Sequence, residues 1–403
     1  MPATALRCRI CETEFPLDPV GVCARCFGPL EPIYAADRTV TRAEIEAGPP
    51  NIWRYAPLLP VAPPAEVRLA PGNTPLVSAP RLASAVGVGE LLLKLDTANP
   101  THSFKDRVVA VACAKALELG YTTLACSSTG NLANAVAARA AAEGIESAVL
   151  VPADLEPEKL IATAVYGGTI FAVNGTYDDC SRLSVELSFE LDWAFVNVEL
   201  RAYYAEGSKT LAFEIAEQLG WELPDAVVAP IASGAMYSKV HQGFGELLQL
   251  GLVEGARPRI FGGQAEGCAP VARAFADGAK VKPVRPNTIA RSIAIGSPAD
   301  GDLAVATAIA SGGTIRAVPE EEIPENIKLL AETTGVFGET APATALGALR
   351  EAVRRGELGE NDRVVLLVTG DGLKTPALVA DTFEPVLVEP DADLILERLG
   401  VTV

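Results

Sequence analysis

From about residue 90 of the 403-residue chain, short runs rich in strand-forming residues alternate with longer helical patterns. LLLKL, TTLACSS, SAVLVP, TIFAV and AFVNV read as strands; VVAVACAKALELG, LANAVAARAAAEG, EKLIATAVYG and TYDDCSRLSVELSFEL read as helices between them. Neighbouring strands joined by a helix must run parallel, because a parallel pair needs a long crossover. A second series follows: KTLAFEIAEQLG, DAVVAPI, SKVHQGFGELLQLG, RIFGGQ, a polar glycine-rich stretch, IKLLAETTG and RVVLLVTG. The expected fold is α/β, with two doubly wound lobes and mainly parallel sheets. The chain is also longer than the size at which single cores stop growing. Ligands of such sheets collect beyond the carboxyl ends of the strands, so the loops that follow strands are the candidate sites.

We expect a large α/β domain from 71–110 and 200–403, a small one from 111–199, a connection at 36–70 and a cysteine module at 1–35. The proline-rich passage PPNIWRYAPLLPVAPPAEVRLAPGNTPLV is expected not to be helical and to run extended across a surface. In the module, Cys8, Cys11, Cys23 and Cys26 form two CxxC pairs separated by eleven residues. That spacing suits a zinc-ribbon-like site of four thiolates, which has no open coordination position and is therefore structural. The other reading is a pair of redox dithiols. Cys113, Cys126, Cys180 and Cys268 stand singly in apolar surroundings and read as buried small hydrophobes.

The formal charge of −18 opposes broad contact with nucleic acid or an anionic membrane. A small anionic substrate is compatible with it only if a few local cations hold the ligand. No apolar run is long enough to span a bilayer, and the amino end lacks a signal-peptide core, so a cytoplasmic protein is expected.

Lys105, in NPTHSFKDR at 99–107, falls where a polar turn meets an apolar helix, with Thr101 and Ser103 as candidate caps. A helix amino end repels an ammonium, so the position is unfavourable for a lysine placed for stability alone. Three loops stand beside it in the pattern. SSTGN at 127–131 and PIASGAMYSK at 230–239 each join a strand to a helix, where exposed N–H groups can cradle an anion, and TGDGLK at 369–374 closes a strand. Taken alone, each is equally an ordinary turn or cap. With only two histidines, His102 and His241, histidine triads and multi-histidine metal centres are excluded, and neither the dinucleotide fingerprint nor the Walker motif occurs. A helix amino end and partial burial both lower a lysine's pKa, which activates the amine toward a carbonyl. A Schiff-base lysine, two anion loops and a ring-nitrogen partner are together the parts of a pyridoxal 5'-phosphate enzyme.

At these residues the chain resembles the threonine synthase family, in the tryptophan-synthase-like (fold type II) group of pyridoxal phosphate enzymes. The likeness is carried by PGNTPLV at 71–77, NPTHSFKDR, SSTGNLANAVAA at 127–138, AEGSKTLAFEIAEQLGW at 205–221 and TGDGLKTP at 369–376. The resemblance implies a lyase in which Lys105 carries the cofactor and moves protons. Asn131 would meet the ring hydroxyl, the backbone of Ser233, Gly234, Ala235 and Met236 the cofactor phosphate, and Thr369 the ring nitrogen. Ser128, Thr129 and Gly130 would hold the substrate carboxylate. The implied reaction converts O-phospho-L-homoserine and water to L-threonine and phosphate, and a homodimer is expected because such two-lobed enzymes are commonly dimers. Family members often place an asparagine-serine pair and an arginine before EGxKT. Here NVELRAYYAEGSKT puts Val198 in the serine place and offsets the arginine, leaving Arg201 and Lys209 as candidates for the substrate phosphate. His102 stands where glycine is common, and GVFGETAPATA departs from an EPASAA-like run. Two rival readings are a β-replacement enzyme acting on O-phosphoserine, like cysteate synthase, and a non-catalytic scaffold bearing a zinc knuckle.

Overall fold

The computed structural model describes residues 3–128 and 130–399. At the amino end, β1 (Ala5–Cys8), β2 (Glu14–Phe15) and β3 (Leu30–Ile33) form a small antiparallel sheet in the order β2-β1-β3. The largest sheet contains β4 (Leu76–Ser78), β5 (Glu90–Leu95), β10 (Ala226–Pro230), β11 (Arg259–Ala265), β12 (Ile315–Val318) and β13 (Arg363–Val368). Its order is β12-β11-β10-β13-β5-β4, and every pairing is parallel except that of the edge strand β4 with β5. A second sheet of β6 (Thr123–Ser127), β7 (Glu146–Pro152), β8 (Thr169–Val173) and β9 (Ala194–Phe195) is parallel throughout, in the order β8-β7-β6-β9. The α/β architecture with mainly parallel sheets is therefore as the alternating pattern predicts. Central strands such as β10 and β13 are buried almost throughout, which is why they read as continuous apolar runs.

The proline-rich passage departs from expectation. Rather than lying extended on the surface, Ile52–Leu58 winds into a 3-10 helix capped by Asn51, whose side chain accepts the Trp53 N–H at 2.9 Å. Ile52, Trp53, Tyr55 and Leu58 are buried, and the Tyr55 ring packs 5.5 Å from that of Phe213. The apolar side chains between the prolines drive this, since burying each is worth about 1.5–3 kcal/mol. The polar glycine-rich stretch also contains more order than its composition predicts: the Gly301–Ser311 helix and β12 lie within or just beyond it.

The amino-terminal module is not a separate body. Leu6, Cys8, Cys23 and Leu30 share one apolar cluster with Val108, Leu124 and Tyr203 of the main fold.

Candidate active site

Lys105 is the first residue of the Lys105–Glu118 helix. Neither candidate cap works as one. Phe104 occupies the cap position with helical dihedrals, φ −49° and ψ −27°. Thr101 instead donates its N–H and its hydroxyl to Asp106 Oδ2 at 2.8 and 2.9 Å, and the Ser103 hydroxyl accepts only a long 3.4 Å bond from the Lys105 N–H. His102 has φ +59°, the left-handed region in which glycine is unstrained, which accounts physically for glycine being common at that place.

The Lys105 side chain lines a cleft with about 620 Å³ of space between atoms, and its Nζ donates to the Tyr204 hydroxyl at 3.1 Å. Among the described residues no carboxylate forms an ion pair with it. Burial pulls the amine's pKa below its ordinary value, and the more distant charge of Glu339 does not make up the difference. Burial is thus the leading cause, with the helix amino end as its setting. Burial also pushes the Tyr204 phenol upward, so it remains a neutral hydroxyl.

Asn131, Ser233, Gly234, Ala235, Met236 and Thr369 line the same cleft. Ser233 and Gly234 join β10 to the Ala235–Gln249 helix, whose first N–H groups have no intrahelical partner. Gly234 has φ +94°, and a Cβ there would lie 2.5 Å from Asp300 O. One glycine is sufficient because only this position needs both the left-handed dihedral and the close approach. Thr369 ends β13, and its carbonyl accepts the Phe104 N–H at 2.9 Å, tying the strand end to the Lys105 turn.

Asn131 begins the Asn131–Glu143 helix and is held at both ends of its carboxamide. Its Nδ2 donates to Glu339 Oε1 at 2.6 Å, and its Oδ1 accepts from Lys374 Nζ at 3.0 Å. Glu339 is 1% exposed, lines the cleft, and has a buried Oε2 with no partner. Gly370 leaves room for it, since a Cβ there would fall 2.2 Å from Glu339 Oε1. Sequence reasoning did not assign Glu339, Tyr204 or Lys374. The signal available was their position in motifs already singled out, GVFGETAPATA, AYYAEGSKT and TGDGLKTP.

The remaining candidates lie elsewhere. The Ser128 hydroxyl accepts the N–H groups of Gly130 and Ala133, both at 2.9 Å, so it closes the loop onto its own helix. Gly130 has φ +127° and packs on Lys159, where a Cβ would meet Cδ at 2.4 Å. Thr129 falls outside the described residues. Lys209 is fully buried and paired with Glu206 and Glu246, and Arg201 is paired with Asp300; neither lines the cleft. Each cation is thus paired with carboxylates within the fold.

In the amino-terminal module, the Sγ atoms of Cys8, Cys11, Cys23 and Cys26 all lie within 4.8 Å of one another. The Ile10 and Arg25 N–H groups point at Cys8 Sγ and Cys23 Sγ at 3.4 and 3.3 Å. Among the described residues, no helix is long and apolar enough to cross a membrane.

A family model described as pyridoxal-phosphate dependent enzyme matches residues 67–370. The chain is 36% identical over 400 residues to the threonine synthase of Methanosarcina acetivorans, covering 98% of each chain. It is 35% identical over 401 residues to the threonine synthase of Methanocaldococcus jannaschii, again covering 98% of each. Among solved structures, diaminopropionate ammonia lyase from Escherichia coli superposes with a TM-score of 0.66 at 17% identity, over 84% of this chain and 91% of that one, which is a likeness of fold.

Proposed function

The chain belongs to the pyridoxal-phosphate dependent enzymes and, among them, to the threonine synthase family, and on that premise we propose that it converts O-phospho-L-homoserine and water to L-threonine and phosphate. The observation that carries the reading is a single cleft lined by Lys105, an amine with no ion-pair partner among the described residues, together with the amino end of the Ala235–Gln249 helix, Asn131 and Thr369.

These residues suit the cofactor. Gly234 lets the turn close against Asp300, where a Cβ would clash, and the N–H groups of the Ala235–Gln249 helix that it opens suit a phosphate. Asn131 would meet the ring hydroxyl, and the Thr369 hydroxyl would meet the ring nitrogen. When bound, pyridoxal phosphate supplies an electron sink for negative charge developing on the substrate's carbons. The protein supplies the placement of protons. Lys105 Nζ, whose charged form burial disfavours, is the base that takes the proton from the substrate's α-carbon and the acid that returns protons as the reaction closes. Tyr204 orients that amine through its hydroxyl. Glu339 and Lys374 lock the carboxamide of Asn131, so its orientation costs no reorganisation during turnover. A neutral threonine opposite the ring nitrogen avoids a fully protonated ring and leaves proton control with Lys105.

The SSTGN loop at 127–131 would receive the substrate carboxylate at the amino end of the Asn131–Glu143 helix, with the Ser128 hydroxyl fastening the loop to that helix. Arg201 and Lys209 act instead as structural cations. In the module, the four thiolates hold a structural zinc ion: their mutual distances suit a closed tetrahedral site, and backbone N–H groups already stabilise two of the sulfurs.

The deciding experiment incubates purified holoenzyme with O-phosphohomoserine, measures phosphate release and identifies the amino acid formed. Threonine in equal amount to phosphate is expected; phosphate released only from O-phosphoserine, with a sulfonated product when sulfite is supplied, would assign the rival reaction. One zinc per chain is expected by metal analysis, and Cys11→Ser should lose it.

A further inference from the structure

Asp300 stands behind the cofactor-phosphate loop and touches it through its backbone. Its N–H donates to Ser233 O at 2.9 Å, and its carbonyl oxygen is the atom that a Cβ on Gly234 would strike. The side chain, 5% exposed, is gripped from two sides. Arg201 pairs with Oδ2 from the start of the Arg201–Glu206 helix, the helix that carries Tyr204 to Lys105. Arg9, the residue after Cys8, donates to Oδ1 at 2.5 Å from the cysteine module, 291 positions away in sequence. Burial opposes ionisation of Asp300, but the guanidiniums of Arg201 and Arg9 outweigh it and hold the carboxyl below its ordinary range.

The module is rigidly fastened around this contact. The Tyr34 hydroxyl donates to Glu206 Oε2 at 2.6 Å, and Lys239 Nζ reaches Glu206 at 2.7 Å and Glu31 at 3.6 Å. The Arg9 N–H donates to Pro29 O at 3.1 Å, which closes the cysteine turns on each other. Close-packed interiors transmit displacement rather than absorb it. A shift of the Cys8–Cys11 turn therefore moves Arg9, and through Asp300 it moves the Ser233–Gly234 turn.

We propose that Arg9 is a positioning residue for the cofactor-phosphate loop, through which the four-cysteine module sets how tightly the enzyme holds its cofactor. The inference rests on the pyridoxal phosphate reading above. With the four sulfurs held together, Arg9 is fixed and Asp300 keeps both partners. With the knuckle loosened, Asp300 keeps only Arg201, and the turn behind the phosphate loses its support. The effect falls on cofactor retention, because Arg9 does not line the cleft itself and is linked to the loop through its bond to Asp300.

The test titrates wild type, Arg9→Ala, Arg9→Lys and Arg25→Ala with pyridoxal phosphate, after metal content has been matched. Arg25 is an exposed arginine of the same module and serves as the control. Affinity is read from the absorbance of the bound cofactor, and the phosphate environment from its ³¹P resonance. Arg9→Ala should bind the cofactor about tenfold more weakly, a usual size for coupling between sites, with a displaced or broadened ³¹P signal. Arg9→Lys should recover part of the loss, and Arg25→Ala should match wild type. Wild-type affinity and an unmoved ³¹P signal in Arg9→Ala would overturn the proposal. If Arg9→Ala does not fold, Asp300→Asn and Arg9→Lys carry the test, and unchanged affinity in both overturns it. A wild-type protein that takes up no cofactor would instead strike down the pyridoxal phosphate reading, which keeps the two failures apart.

Discussion

Two cations sit in the first turn of one helix, two residues apart, and the fold treats them oppositely. Arg107 is completely buried and saturated: Asp96 accepts from Nε and a terminal nitrogen at 2.8 Å each, and Glu214 accepts at 2.7 and 2.8 Å. Thr74 and Thr210 take further bonds at 2.9 and 3.1 Å. Burial alone would weaken its hold on the proton, but Asp96 and Glu214 reverse that and push its pKa up. Burial likewise opposes the charge on Glu214, and Arg107 and Lys94 bring its carboxyl down to about 2. Lys105 has a phenol hydroxyl and two aromatic rings beside it but no carboxylate in ion-pair reach among the described residues, and burial lowers its pKa. The same low-dielectric setting therefore yields a fixed structural charge where partners are supplied and an amine biased toward its reactive, uncharged form where they are withheld.

The largest effect is expected on the reactive side. Lys105→Ala should reduce turnover on the order of 10⁴-fold or more, since it removes both the attacking amine and the proton carrier. Folding should be unharmed, because no ion pair is broken. The pH dependence sharpens this. Between the lowered folded value and the ordinary 10.5, the unfolded chain binds more protons at Lys105 than the folded one. Stability of the cofactor-free wild type should therefore decline, relative to Lys105→Ala, as pH falls through that window. Urea denaturation of both proteins across alkaline pH measures it, and parallel curves would show that the amine is not held neutral by the fold.

Arg107→Met should do the reverse, costing stability first. It leaves Asp96 and half of Glu214's charge buried without their partner, a loss of about 3 kcal/mol by analogy with other broken buried pairs. Unfolding in urea would register it as a lower midpoint with unchanged slope. A loss under about 1 kcal/mol would mean that Lys94, 2.7 Å from Glu214, compensates alone.

This contrast was half legible in the sequence. Lys105 stood out because a lysine at a helix amino end is unfavourable, and the strand-to-helix loops marked Asn131, the Ser233–Met236 turn and Thr369 because sheet topology sends strand ends to one cleft. Those inferences need only local periodicity and connectivity. Glu339 was not assigned because its role depends on Asn131, 208 positions away, and no local pattern reports a pairing at that distance. The partners of Lys209 are hidden for the same reason: its motif resembles a substrate-facing segment, and its pairing with Glu246, 37 positions away, leaves no local pattern. The Ile52–Leu58 turn was misread because proline content was weighed above the aromatic and aliphatic side chains between the prolines.

Glu199 extends the contrast to an acid and gives the smallest effect. Its Oε1 accepts the Phe195 N–H at the end of β9, while Oε2 is buried with no partner. Burial pushes the carboxyl from 4.5 up to about 7, and the backbone bonds do not offset it. Between those two values the folded chain binds more protons than the unfolded one, so this residue makes stability fall as pH rises from 4.5 through 7. Glu199→Gln keeps an acceptor for Phe195 and cannot ionise. It should therefore raise stability by about 2 kcal/mol more at pH 8 than at pH 5, the cost of a newly buried amide donor being the same at both. Urea midpoints at the two pH values decide the matter: an equal shift at both would show that Glu199 is already ionised at pH 5, and that an acid, unlike Lys105, finds in this fold the compensation its geometry does not display.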